Sequence, residues 1–266
     1  MAATEHTRDG NAGGAPLLPP VSAQGYVAHD GARIWYAVYG AGPPVILLHG
    51  GLGSGEDWVE QIPALIAHGY RAIAIDSRGQ GRSTRDARPF SYVLMASDVL
   101  AVMDALAIDK AAIVGWSDGA IIGLILAMRS PARIRRVFAF GGNMDLSGVQ
   151  HVSPSDPFVV GLVERAASDY RRLSETPDEF KVVADAVFRM MATEPNYRAE
   201  DLATIGVPVA IVHAEHDEFI TGAHSAYLAR SIPHAALVVL PGVGHTAMLE
   251  QPRPFNAAML AFLAEP

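Results

Sequence analysis

Short apolar runs alternating with helix-length amphipathic stretches predict an α/β domain, with a mostly parallel central sheet and helices on both faces. Three observations carry the prediction. Residues 44–49, Pro-Val-Ile-Leu-Leu-His, form an apolar run that ends at a glycine cluster, as buried strands do. Strand-like runs then alternate with helical patterns from 55 to 141 and again from 207 to 264, which implies βαβ units. Half of the 266 residues are hydrophobic and 18% are charged, enough apolar content for one sizeable core.

In chain order, residues 25–29 and 32–39 read as a hairpin turning at Asp30-Gly31. Strands follow at 44–49, 71–75, 111–115 and 134–141, with helices at about 55–67, 92–107 and 118–129 between them. After an interruption, strands at 207–213 and 235–240 alternate with helices at 220–231 and 252–264. The interruption, about 146–204, holds two helical patterns with apolar faces Val159, Val163, Ala167, Tyr170 and Phe180, Val183, Val187, Met190. Placed between strands 6 and 7, it reads as a small helical lid. Residues 1–24, rich in Gly, Pro and Ala, read as a mobile arm without a secretory signal, so the expected location is cytoplasmic.

A net charge of −8 argues against nucleic acid or an anionic membrane as a partner. No apolar run is long enough to span a bilayer. The absence of cysteine excludes disulfides and thiolate metal sites. No cofactor or metal is expected. His213, His216 and Asp217 lie close together but lack a fourth ligand in a matching motif.

The chemistry concentrates just after the strands, where ligands bind in such sheets. Gly115-Trp116-Ser117-Asp118-Gly119 fits G-x-S-x-G between a strand and a helix, which makes Ser117 the candidate nucleophile. A serine hydroxyl needs a base. His245 is the candidate, set on a glycine-bearing loop after the last strand, whereas His224 and His234 read as surface residues. The base needs an acid to fix its tautomer, and Asp217 stands at a strand end, with Asp145 as the second candidate. Glu215 and Glu218 are neighbours easily mistaken for that acid. Main-chain N–H groups of Asp118 and Gly51, with Leu52 as an alternative to Gly51, are the candidate oxyanion donors. Trp116, Tyr170, Phe180, Phe188, Met190 and Met191 are the candidate walls of an apolar pocket, with Leu52 beside them.

The sequence over about 25–266 resembles the α/β-hydrolase family. The resemblance rests on His49-Gly50-Gly51, on Asp76-Ser77-Arg78-Gly79-Gln80-Gly81-Arg82-Ser83, on the serine turn, on Asp217 and on Gly244-His245. Ser117, Asp217 and His245 also follow one another in that family's order. One departure is Ala214, where the family often has glycine. The Gly-Trp-Ser-Asp-Gly variant is most similar to biphenyl hydrolase-like proteins, the valacyclovirase group, and bacterial relatives. The resemblance implies hydrolysis of small-molecule carboxylic esters by a monomer or homodimer. Aminoacyl esters, lactones, carbon–carbon bonds, acyl transfer and ligand binding without catalysis stay open as alternatives. Asp118 has two readings. Its carboxylate is either a favourable charge at a helix start, pointing away from the reacting carbonyl, or a binder for a cationic substrate group, as the valacyclovirase resemblance implies.

Overall fold

A computed structural model describes residues 18–265. Most of the expected arm therefore lies outside the described residues. Its last two residues are already strand, because β1 (Ala23–His29) pairs antiparallel with β2 (Ala32–Tyr39). The hairpin turns at Asp30 and Gly31, both at positive φ (51° and 81°) as a tight two-residue turn requires.

The chain continues through β3 (Pro44–Leu48), α1 (Gln61–Ala67), β4 (Arg71–Ile75), α2 (Tyr92–Ala105), β5 (Ala111–Trp116), α3 (Asp118–Arg129) and β6 (Ile134–Phe140). Then come α4 (Pro157–Leu173), α5 (Phe180–Met191), α6 (Ala199–Leu202), β7 (Val209–Ala214), α7 (Gly222–Ser231), β8 (Ala235–Leu240), α8 (Ala247–Glu250) and α9 (Pro252–Ala264). The eight strands form one sheet in the order β1-β2-β4-β3-β5-β6-β7-β8. β2 runs antiparallel to β1 and β4, and every other pairing is parallel.

The helix expected over 55–67 is split. A 3₁₀ turn (Gly55–Trp58), capped by Ser54, precedes α1. Pro63 then sits in the first turn of α1, where its missing N–H leaves no hydrogen bond broken.

Period two along the central strands builds two cores from one sheet. Ile46, Leu48, Ile73, Ile113, Val137 and Ile211 face one side, where α2, α3 and α7 cover them. Val45, Leu47, Ala74, Val114, Phe138 and Val212 face the other, covered by α1 and α9. Every residue of β5 and β7 is buried, which explains their continuous apolar runs. No helix among the described residues is long and apolar enough to cross a membrane.

Candidate active site

β5 ends at Trp116 and α3 begins at Asp118, so Ser117 alone makes the turn. It takes φ 53° and ψ −117°, a conformation costly for a residue with a side chain. Its N–H is fixed to the Phe140 carbonyl at 2.8 Å. The flanking glycines have steric causes. A Cβ at Gly115 would overlap the Gly119 carbonyl, and one at Gly119 would overlap the Leu48 carbonyl of the neighbouring strand. Both glycines let the turn sit against the sheet.

His245 lies on the loop after β8, and its Nδ1 stands 2.9 Å from Asp217 Oδ1 and 3.1 Å from Oδ2. Asp217 accepts, so the Nδ1–H tautomer is the one that fits, leaving Nε2 free to take a proton. Oδ1 also accepts the N–H groups of Phe219 (3.0 Å) and Ile220 (2.9 Å). Burial works to raise the Asp217 carboxyl. The His245 ring and the two N–H groups outweigh it and hold the carboxyl below its usual range. Gly141, at φ 61°, leaves the space the imidazole fills, since a Cβ there would stand 2.8 Å from His245 Cε1. Asp145 is not the carboxylate bonded to His245. It caps its own 3₁₀ turn by accepting the Ser147 N–H at 2.8 Å.

Among the described residues, neither the Gly51 nor the Asp118 main-chain N–H has an internal acceptor. Leu52 is different. Its N–H donates to Gln80 Oε1, which takes it out of contention as an oxyanion donor.

These groups open into one cavity of about 240 Å³. Leu52, Trp116, Phe188 and Met191 line it, as the sequence suggests. Tyr170, Phe180 and Met190 do not. Tyr170 packs against the Phe180 ring at 5.7 Å, and both belong with Met190 to the apolar core. Along α4 and α5 the stripe that faces the cavity (Val159, Leu162, Val163, Ala166; Phe188, Met191) is offset from the stripe that faces the core (Ala167, Tyr170; Val183, Val187, Met190). On α4 the face expected from sequence straddles the two stripes, with Val159 and Val163 at the cavity and Ala167 and Tyr170 in the core, while on α5 it marks the core stripe. Sequence reading also missed Tyr92, Asn143, Arg165 and Phe219, which line the cavity from distant parts of the chain. Only the i, i+3, i+4 continuation from Val159 and Val163 to Leu162 and Ala166 was there to find.

The Asp118 carboxylate does not point away to water. It is 4% exposed and lines the cavity. Oδ1 accepts the Tyr92 hydroxyl at 2.8 Å, while Oδ2 is buried with no partner among the described residues. A Cβ built on Gly51 would lie 2.9 Å from Oδ2, so that oxygen stands beside the candidate donor loop. Burial pushes the carboxyl up to about 6 against the opposing Tyr92 hydrogen bond. Asp57, Asp169 and Glu194 also reach the lining, with Arg165 as its one Lys or Arg side chain.

Two other histidines are placed by the structure. His224 is buried, not a surface residue; its Nε2 accepts the Met144 N–H at 3.1 Å. The His213 ring meets Ser225 Oγ at 3.2 Å, and among the described residues no three His, Asp or Glu groups cluster as a metal site.

The model of the alpha/beta hydrolase fold family matches residues 43–189, the stretch that carries the donor loop and the serine turn. The chain belongs to the α/β-hydrolase fold family. It is 30% identical over 261 residues to the "Putative carbamate hydrolase RutD" of Azorhizobium caulinodans, covering 90% of this chain and 98% of the relative. It is 29% identical to the serine hydrolase BPHL of Mus musculus, covering 89% of this chain and 85% of the relative. Among solved structures, Est816, described as an N-acyl homoserine lactone degrading enzyme, is similar at 29% identity. Its TM-score is 0.72, and the match covers 90% of this chain and 100% of that one.

Proposed function

We propose that this α/β-hydrolase is a serine hydrolase of small carboxylic esters. One observation carries the reading: a serine held at positive φ and a histidine bonded to a buried carboxylate line the same cavity. Ser117 Oγ attacks the ester carbonyl while His245 Nε2 takes its proton. The oxygen of the tetrahedral intermediate is stabilised by the Gly51 N–H, from the loop after β3, and the Asp118 N–H, at the start of α3. His245 returns the proton to the leaving alcohol, and Asp217 stabilises the imidazolium while it exists. Water, activated by the same histidine, then releases the acid and restores Ser117. Helices α4 and α5 serve as the lid that keeps bulk water from the reacting carbonyl. The relatives named for carbamate and lactone chemistry act at an acyl carbon too, which favours acyl transfer to water on this framework.

The test is Ser117→Ala. Turnover of aryl and alkyl esters should fall by about 10⁵-fold or more with the thermal melt unchanged. Esterase activity retained in that variant, or a fluorophosphonate that fails to label the wild type, removes the proposal.

A second reading concerns the substrate, and the unpartnered Asp118 Oδ2 supports it. A buried carboxylate oxygen without a donor is costly unless a ligand supplies one. A primary ammonium on the substrate supplies it, and the other carboxylates around the cavity favour the same sign of charge. Asp118→Asn should then lower kcat/KM for an aminoacyl ester about ten- to hundredfold more than for its des-amino analogue. Equal losses on the two esters exclude ammonium recognition.

A further inference from the structure

The loop that carries His245 is held by glutamates. The Gly242 N–H donates to Glu215 Oε2 at 2.8 Å, the Gly244 N–H to Glu250 Oε2 at 3.1 Å, and the His245 N–H to Glu218 Oε2 at 2.8 Å. Main-chain bonds tighten the same seam, from Glu215 N–H to the Leu240 carbonyl and from His216 N–H to the Val243 carbonyl. On its other side, the His245 carbonyl accepts Trp116 Nε1–H at 2.8 Å. The histidine peptide is therefore fixed at both polar ends by side chains. One comes from the stretch that holds Asp217, and the other from the residue before Ser117.

We infer that Glu218 is a positioning residue, which sets the place of the His245 main chain while its neighbour Asp217 orients the ring. The inference rests on the serine-hydrolase reading above. Three observations point to Glu218 over its neighbours. It bonds to His245 itself, whereas Glu215 and Glu250 bond to the glycines before it. Its carboxylate packs over Gly244, where a Cβ would stand 2.6 Å from Oε1, so the glycine is matched to this side chain. It does not line the cavity, so it meets no substrate. Asp217 and Glu218 are consecutive, so one loop grips one histidine twice, at Nδ1 and at the main-chain N–H. A ring tethered only at Nδ1 swings about that bond, and a displacement of Nε2 by about 1 Å costs on the order of a hundredfold in rate.

The experiment compares Glu218→Ala and Glu218→Gln with the wild type on two esters of different size. Glutamine keeps an acceptor oxygen for the His245 N–H and removes the charge. Glu218→Ala should lower kcat about tenfold or more on both esters, with KM within about twofold. Glu218→Gln should hold kcat within about threefold. The low-field proton resonance of the His245–Asp217 pair should broaden or shift in the alanine variant and persist in the glutamine one. Should Glu218→Ala fold poorly, Trp116→Phe, which removes the donor to the His245 carbonyl and keeps a ring, reports on the same tether through that resonance. Unchanged kcat and resonance in Glu218→Ala overturn the inference. Equal losses in the alanine and glutamine variants overturn it as well, because charge and not placement would then be at work. Failure of the serine-hydrolase reading shows separately, as wild-type protein that neither turns over ester nor reacts with fluorophosphonate.

Discussion

The cavity has two walls, and they are held in place by different forces. On the sheet side, α3 buries ten of its twelve residues and β5 buries all six, so apolar burial fixes Ser117. On the inserted side, α4 buries only Ala167 and Tyr170 of seventeen residues. α5 anchors the insertion in the core through Val183, Ala184, Val187 and Met190, while its outer parts meet the body through arginine–carboxylate pairs: Arg165 with Asp57 (2.7 Å), Arg172 with Glu56 (2.7 Å), Arg85 with Glu179 (2.8 Å), and Arg33 with Glu175. Burial is not screened by ions and acts over the whole element. Exposed pairs contribute about 0–1 kcal/mol each and are screened by ions. The wall that carries Ser117 is thus built to stay, and α4, the outer part of the wall that covers it, is built to loosen without unfolding the domain.

Three measurements probe that difference. The largest effect is expected from the sheet side. Phe138 is fully buried between the Phe255 and Phe262 rings, and Phe138→Ala should cost about 3–5 kcal/mol in denaturant unfolding. A loss below about 1 kcal/mol would mean that apolar packing does not hold this wall.

The intermediate effect lies where the walls meet. Asp118 is raised from 3.8 to about 6, chiefly by burial, so the folded protein binds its proton more tightly than the unfolded chain does. The contribution of Asp118 to stability, read as the difference between wild type and Asp118→Asn, should therefore rise as pH falls from about 7 towards 4, by about 3 kcal/mol, and change no further below that. Asp118→Asn should remove that slope and add on the order of 2 kcal/mol at pH 8, since the amide carries no buried charge. An unchanged pH dependence in the variant would show that the carboxylate is solvated in solution.

The smallest effect on stability belongs to the insertion. Arg172→Ala, which removes a partly exposed pair with Glu56, should cost under about 1 kcal/mol, yet it should shift KM severalfold, and 0.5 M salt should shift wild-type KM in the same direction. If Arg172→Ala destabilises as much as Phe138→Ala, the two walls are not distinct.

What the sequence makes legible follows the same division. The strands after Tyr39 lie within about two residues of their expected positions, because short apolar runs alternating with helix-length amphipathic stretches have few other uses. Ser117, Asp217 and His245 were readable from local context; Ser117 and His245 reach the cavity, and Asp217 stands behind the His245 ring. Tyr170 and Met190 were misplaced because periodicity shows that a helix has an apolar face, not which of two adjacent stripes meets a partner. Arg165, Tyr92 and Asn143 carry no local signal at all. Their place depends on how distant segments pack. Glu218 was visible only as a decoy for Asp217, since a bond to a main-chain N–H leaves no pattern along the chain.

Leu52 sits at φ 63°, a costly conformation for a branched residue, and its N–H is the one that Gln80 captures. On the proposed reaction, a tetrahedral oxygen can accept from three donors, while this loop and the start of α3 offer it two. The third amide of the neighbourhood is committed to the shape of the loop through Gln80. On that proposal the number of donors the intermediate meets is set by a glutamine 28 residues away that does not line the cavity. The coordination number of the proposed transition state is then decided outside the cavity.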